Sequence, residues 1–99
     1  MSVVLELAWP GVTPELYEQA RELVDWENVP ARGGVFYVVW FDGGWMRIVD
    51  VWESEEAFRT FMSERLMPVV AEMGIEGEPH ATLHPAHRYF NLEPAAAAA

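Results

Sequence analysis

Hydrophobic and polar positions alternate with two different periods along this chain, and the changes of period mark its elements. From Ser2 to Trp9 the period is two, with Val3, Leu5 and Leu7 on one side and Val4, Glu6 and Ala8 on the other. That pattern predicts a first strand, ended by Pro10-Gly11. Thr13-Pro14-Glu15 then reads as a helix start. The Thr hydroxyl can accept from the orphan amides, Pro suits the first helical position, and Glu suits the positive end of the dipole. The helix is predicted to run to about Val24, burying Leu16, Ala20, Leu23 and Val24. Asp25 to Gly34, with Pro30 and Gly33-Gly34, has the composition of a loop.

The stretch Val35 to Met73 organises the rest. Two apolar runs rich in β-branched and aromatic residues flank Asp42-Gly43-Gly44-Trp45, the short-range sign of a tight hairpin whose central positions need φ > 0. A two-residue turn there sets Tyr37 opposite Asp50, Val39 opposite Ile48, Trp40 opposite Arg47 and Phe41 opposite Met46. Phe58, Phe61, Met62, Leu66, Val69, Val70 and Met73 then recur three and four apart, predicting an amphipathic helix with Ser54 as N-cap and Gly74 just past its end. Pro68 lies inside that helix, removes the backbone bond to Glu64, and predicts a kink or a restart. Glu78 to Phe90 alternates as far as Pro85, with His80, Thr82 and His84 on one side.

The order βαββαβ predicts an α+β, ferredoxin-like domain over residues 1–93: a four-stranded antiparallel sheet with two helices on one face. Pro94 to Ala99 is a low-complexity tail, read as an appended remnant and set aside. The sheet face without helices is expected to carry Val4, Glu6, Tyr37, Val39, Phe41, Ile48, Asp50, Trp52, Thr82 and His84. That set is too apolar to leave in water, and a second copy packed sheet to sheet would cover it.

Composition points the same way. Hydrophobic residues make up 52% of the chain, with five Trp and five Phe, more than a core this small usually hides, so the excess predicts a subunit interface or an apolar pocket. Six basic against 16 acidic residues give a net charge of -10, which repels polyanions and excludes nucleic acid as an expected partner. The absence of Cys rules out disulfides and thiolate metal sites. No apolar run approaches the roughly 18 residues of a membrane span, and the amino terminus has no positive leader, so a cytoplasmic protein that does not enter membranes is expected.

Within this frame the chain resembles the dimeric α/β-barrel superfamily, in the branch around antibiotic biosynthesis monooxygenases. The resemblance rests on the βαββαβ order and on Val51-Trp52-Glu53-Ser54-Glu55-Glu56-Ala57-Phe58, similar to that branch's strand-to-helix junction. Small actinobacterial-type proteins of unassigned function are also similar, across Val49 to Gly74 and His84-Pro85-Ala86-His87. The resemblance implies a homodimer whose sheets enclose a barrel, with a cavity between each sheet and its helices or loops. It implies activities ranging from cofactor-free oxygenation of polycyclic phenols to haem degradation, isomerisation or none. No His stands in either helix, where the haem-degrading members carry their iron ligand.

Glu6, Tyr37, Asp50 and His84 form the sharpest candidate constellation. A carboxylate and an imidazole in an apolar, Trp-lined cavity can act as base and acid on a phenol or carbon acid. Asp50 and His84 are the candidate catalytic groups; Glu6, Tyr37, Trp52 and His87 are candidate substrate-binding residues. For Asp50 the competing reading is a buried carboxylate satisfied by Tyr37 or Arg47 within an interface network. No metal site is expected: in a strand His84 and His87 point to opposite faces about 10 Å apart, and His80 and His84 lie about 13 Å apart. No cofactor is expected either. The reading is a homodimer binding a small hydrophobic or aromatic molecule, as a cofactor-independent oxygenase-like or isomerase-like enzyme. The alternative is a non-catalytic ligand-binding or dimerisation module.

Overall fold

A computed structural model describes residues 1–91; the low-complexity tail lies outside the described residues. The chain runs β1 (Val3–Pro10), α1 (Pro14–Val24), β2 (Gly34–Asp42), β3 (Trp45–Trp52), α2 (Glu55–Phe61), a π-helical segment (Met62–Leu66), α3 (Met67–Met73) and β4 (His80–Pro85). The strands form one antiparallel sheet in the order β2-β3-β1-β4, with β1 and β3 central. This is the ferredoxin-like arrangement expected from the element order.

Local signals act as their chemistry requires. Thr13 Oγ1 accepts from the Leu16 amide at 3.1 Å, and Ser54 Oγ accepts from the Ala57 amide at 3.1 Å, so each main helix starts on a hydroxyl cap. Gly43 and Gly44 hold φ of 56° and 85°, the left-handed pair a two-residue hairpin turn demands. The hairpin register is the predicted one, Tyr37 opposite Asp50 and Trp40 opposite Arg47, until a bulge between Gly34 and Phe36. Leu23, expected inside, is 56% exposed, and Tyr17 is buried in its stead. Tyr17, Ala20 and Val24 are spaced three and four apart, and Leu23 is rotated out of that stripe.

Pro68 leaves the Glu64 carbonyl without its usual donor, and the helix absorbs the defect by widening. The Met67 amide bonds to the Met62 carbonyl, five residues back, and α3 restarts with Pro68 in its first turn. There Pro lacks nothing the helix needs. Gly74, at φ 71°, closes α3.

One expectation is corrected. Val3, Leu5, Leu7 and Trp9 are buried beneath the helices together with Met46, Trp52, Tyr17, Phe58 and Val70. In the β1–β3 pairing Leu5 stands opposite Asp50 and Leu7 opposite Ile48, whereas Val4 stands opposite Val51 and His84. Opposed residues share a face. Tyr37, Val39, Ile48, Asp50 and Trp52 therefore lie on the helix side, and Val4, Glu6, Thr82 and His84 on the bare side. The hairpin turn sets only the β2–β3 register. The β1–β3 register depends on long-range pairing, and a shift of one residue exchanges faces. The bare side stays apolar in its own right, with Phe36, Val38 and Trp40 51%, 43% and 44% exposed.

Candidate functional site

Between the sheet and the helices lies a cavity of about 330 Å³, at the small end of the range for ligand pockets. Leu5, Leu7, Met46, Ile48 and Trp52 form its floor. Tyr17 and Ala20 of α1 and Phe58, Phe61, Met62 and Leu66 of the second helical region form its walls. Trp26, Glu27, Pro30 and Ala31, from the loop after α1, border it. The π-helical segment thus hands Met62 and Leu66 to the cavity at the place where Pro68 forces the helix to widen.

Asp50 is the ionisable group set into this apolar floor. Burial pushes its carboxyl up from 3.8 to about 6, opposed by the Trp52 indole N–H, which donates to Oδ2 at 3.2 Å. Trp52 is itself held against Phe58 and Phe61, with ring centroids 5.8 and 5.4 Å away, so the donor that orients Asp50 is fixed by packing. A carboxyl titrating near 6 is ionised at neutral pH and close enough to it to take up and return a proton.

A second polar group borders the cavity. Tyr17 donates its hydroxyl hydrogen to the Tyr37 oxygen at 3.2 Å, Tyr37 donates to Glu27, and Arg21 donates to Glu27 at 2.7 Å. Arg21 first, then Tyr37, hold the Glu27 carboxyl down at about 2. Burial and the neighbouring Tyr37 raise the Tyr17 hydroxyl well above the usual phenol range, so it stays protonated. Trp26 stacks at a tilt on Tyr17, 5.8 Å between centroids, and edge-on to Tyr37 at 6.2 Å.

Of the six residues singled out from the sequence, the cavity brings together Asp50, Tyr37 and Trp52. Glu6 and His84 meet each other instead, 3.3 Å apart on the bare face and largely exposed, and His87 is exposed beyond the end of β4. His84 does not face Asp50, so an acid–base pair of these two side chains is not formed within one chain. Tyr17 and Glu27 belong to the site and were not singled out. Tyr17 was legible from its place on the buried stripe of α1. Glu27 had no signal, since only the tertiary fold brings this loop residue to Tyr37. Among the described residues no three His, Asp or Glu side chains group closely enough to hold a metal ion, and no helix is long and apolar enough to cross a membrane.

The sequence matches no protein-family model and no curated protein. Solved structures do share its architecture. The cofactor-independent oxygenase SnoaB from Streptomyces nogalater superposes with a TM-score of 0.66 at 14% identity, over 89% of this chain and 95% of that one. A protein provisionally described as an antibiotic biosynthesis monooxygenase from Chloroflexus aurantiacus gives 0.59 at 18% identity, over 92% and 100%. A protein of unknown function from Nitrosomonas europaea gives 0.69 at 10% identity, over 94% and 96%. The shared feature is the ferredoxin-like fold. At these identities the comparison speaks to architecture, and the chemistry has to be argued from the cavity.

Proposed function

We propose that the protein is a homodimer that binds a small, flat hydrophobic molecule in the cavity between sheet and helices and acts on it as a cofactor-independent oxygenase. The observation that carries this reading is Asp50: a single raised carboxyl in an otherwise apolar floor, oriented by Trp52. The likeness of fold to SnoaB, described as a cofactor-independent oxygenase, supports the reaction class.

Asp50 serves as the base. It removes a proton from an aromatic substrate whose ring carbon is CH2 in its keto form, and the enolate so formed supplies electrons to dioxygen. A C–O bond forms to give a peroxide at that carbon. Asp50 returns its proton to the peroxide, takes up the remaining C–H proton as the O–O bond breaks to leave C=O, and passes that proton to the departing hydroxide, which leaves as water. One oxygen atom of O2 ends in the product and one in water, and the four electrons that reduce O2 all come from the substrate as its CH2 becomes C=O, so no added reductant enters the balance. Trp52 orients Asp50 and offers its ring to the substrate, and Tyr37 borders the binding space.

The dimer is formed through the bare face. Phe36, Val38 and Trp40 would be covered there, and Glu6 and His84 take an interface role instead of a catalytic one. Turnover of a polycyclic phenol or anthrone by Asp50→Asn tests the reading. Loss of about 10²- to 10⁴-fold in rate with binding retained is expected of a general base. Unchanged turnover removes Asp50 from the mechanism, and a protein that binds such compounds without turning them over is a ligand-binding module.

A further inference from the structure

Among the described residues, five side chains around the cavity carry a hydrogen-bond donor: Trp9, Tyr17, Trp26, Tyr37 and Trp52. Four of those hydrogens are already committed. The Trp9 indole donates to the Gly77 carbonyl at 2.8 Å, the Trp52 indole to Asp50 Oδ2 at 3.2 Å, Tyr17 to Tyr37 at 3.2 Å, and Tyr37 to Glu27. Trp26 differs, because its indole nitrogen is buried and has no acceptor among the described residues. A buried N–H without a partner is costly and rare, so it calls for an acceptor that comes from outside the chain. Tyr37 connects it to the base: Tyr37 stands across the strand from Asp50, and the Trp26 ring meets the Tyr37 ring edge-on with centroids 6.2 Å apart.

We infer that the Trp26 indole N–H receives an oxygen of the ligand, a carbonyl oxygen at rest that becomes the enolate oxygen once a neighbouring C–H proton is removed. The inference rests on the proposed role of Asp50 as the base. When the C–H bond breaks, its proton goes to the Asp50 carboxylate and its electron pair is delocalised onto that oxygen, where the charge strengthens the hydrogen bond from Trp26. The bond is therefore worth more after proton transfer than before it. Neither Arg, Lys nor His lines the cavity, so the Trp26 N–H is the side-chain donor left for that charge. Its ring is held against Tyr17 and Tyr37, centroids 5.8 and 6.2 Å away, so the donor is placed before the ligand arrives. The ligand favoured is an uncharged aromatic ketone with an acidic CH2 conjugated to its C=O. A hydrocarbon of the same shape leaves the indole hydrogen unsatisfied.

Two matched probes test it without oxygen at pH 7.5: 2-tetralone, which has a carbonyl and an acidic CH2, and tetralin, the hydrocarbon of the same shape. In wild-type protein the Trp26 indole proton, assigned as the NMR resonance missing from Trp26→Phe, is expected to move further downfield with 2-tetralone than with tetralin. Trp26→Phe keeps an aromatic ring against Tyr17 and Tyr37 and deletes the N–H. It is expected to weaken 2-tetralone binding about fivefold or more and tetralin binding by less than about twofold. In D2O, wild-type protein is expected to exchange the C1 protons of 2-tetralone faster than buffer does. That exchange should fall about 10²-fold or more in Trp26→Phe and be lost in Asp50→Asn. Equal loss of affinity for both probes in Trp26→Phe, or an indole proton shifted no further by the ketone than by the hydrocarbon, means that the ring only packs, and overturns the inference. Exchange that depends on Asp50 would then still uphold the base. Binding without Asp50-dependent exchange overturns the enolate role, and failure of both probes to bind overturns the cavity reading and this inference with it.

Discussion

Asp50 and His84 stand on opposite faces of the same sheet. Asp50 pairs across to Leu5 and shares its helix side, whereas His84 pairs across to Val4, the residue before, and shares the bare side. One position of register along β1 separates a cavity group from a surface group.

The buried carboxyl predicts a pH-dependent stability of unusual sign. Because the folded pKa of Asp50, about 6, lies above its ordinary value of 3.8, the folded state binds the proton more tightly, and the protein loses stability as pH rises from about 4 to about 6. The two-unit displacement corresponds to about 3 kcal/mol. Asp50→Asn removes that penalty. Its melting temperature should exceed that of wild type at pH 7 and converge with it near pH 4, as measured by thermal denaturation of both proteins across that range.

Trp52 sets where Asp50 titrates. Its indole N–H lowers the carboxyl against the larger upward push of burial. Trp52→Phe keeps much of the ring against Phe58 and Phe61 and deletes the donor. The Asp50 carboxyl carbon, followed by NMR titration, should then show a midpoint above about 6.

The bare face predicts self-association. Light scattering should give twice the 11.3 kDa chain mass at micromolar concentration, and Trp40→Glu, which sets a charge among Phe36 and Val38, should halve it. By contrast Glu6→Ala should change monomer stability by less than about 1 kcal/mol, since its contact with His84 is solvent-exposed. Ligand affinity should be unaffected in that variant.

Gly77 marks a tight crossing. Its carbonyl accepts from the Trp9 indole at 2.8 Å, and a Cβ there would collide with the Pro10 backbone oxygen. Gly77→Ala should therefore cost about 1–3 kcal/mol in chemical denaturation, by pushing the loop before β4 off the end of β1.

What could be read from the sequence follows the range of each interaction. Thr13, Ser54 and Gly43-Gly44 act on atoms within a few residues, so both helix starts and the β2–β3 register were legible. Pro68 announced a break, but whether the helix kinks or widens depends on what Met62 and Leu66 pack against, and the wider turn at Met62–Leu66 came only with the structure. The face of Asp50 relative to Glu6 depends on how β1, some forty residues earlier, slides along β3. Asp50, Tyr37 and Trp52 kept company because the hairpin turn ties them together; Glu6 and His84 had no such tie. Glu27 reaches Tyr37 only through the path of the loop after α1, which no periodicity encodes.

The most direct test of the helix-side cavity is amide and indole chemical-shift mapping on titration with 2-naphthol. The account predicts that the largest shifts fall on Asp50, the Trp52 indole and Phe58, with saturation at a single affinity. Shifts confined to Val38, Trp40 and His84 would place the ligand on the opposite face and contradict it.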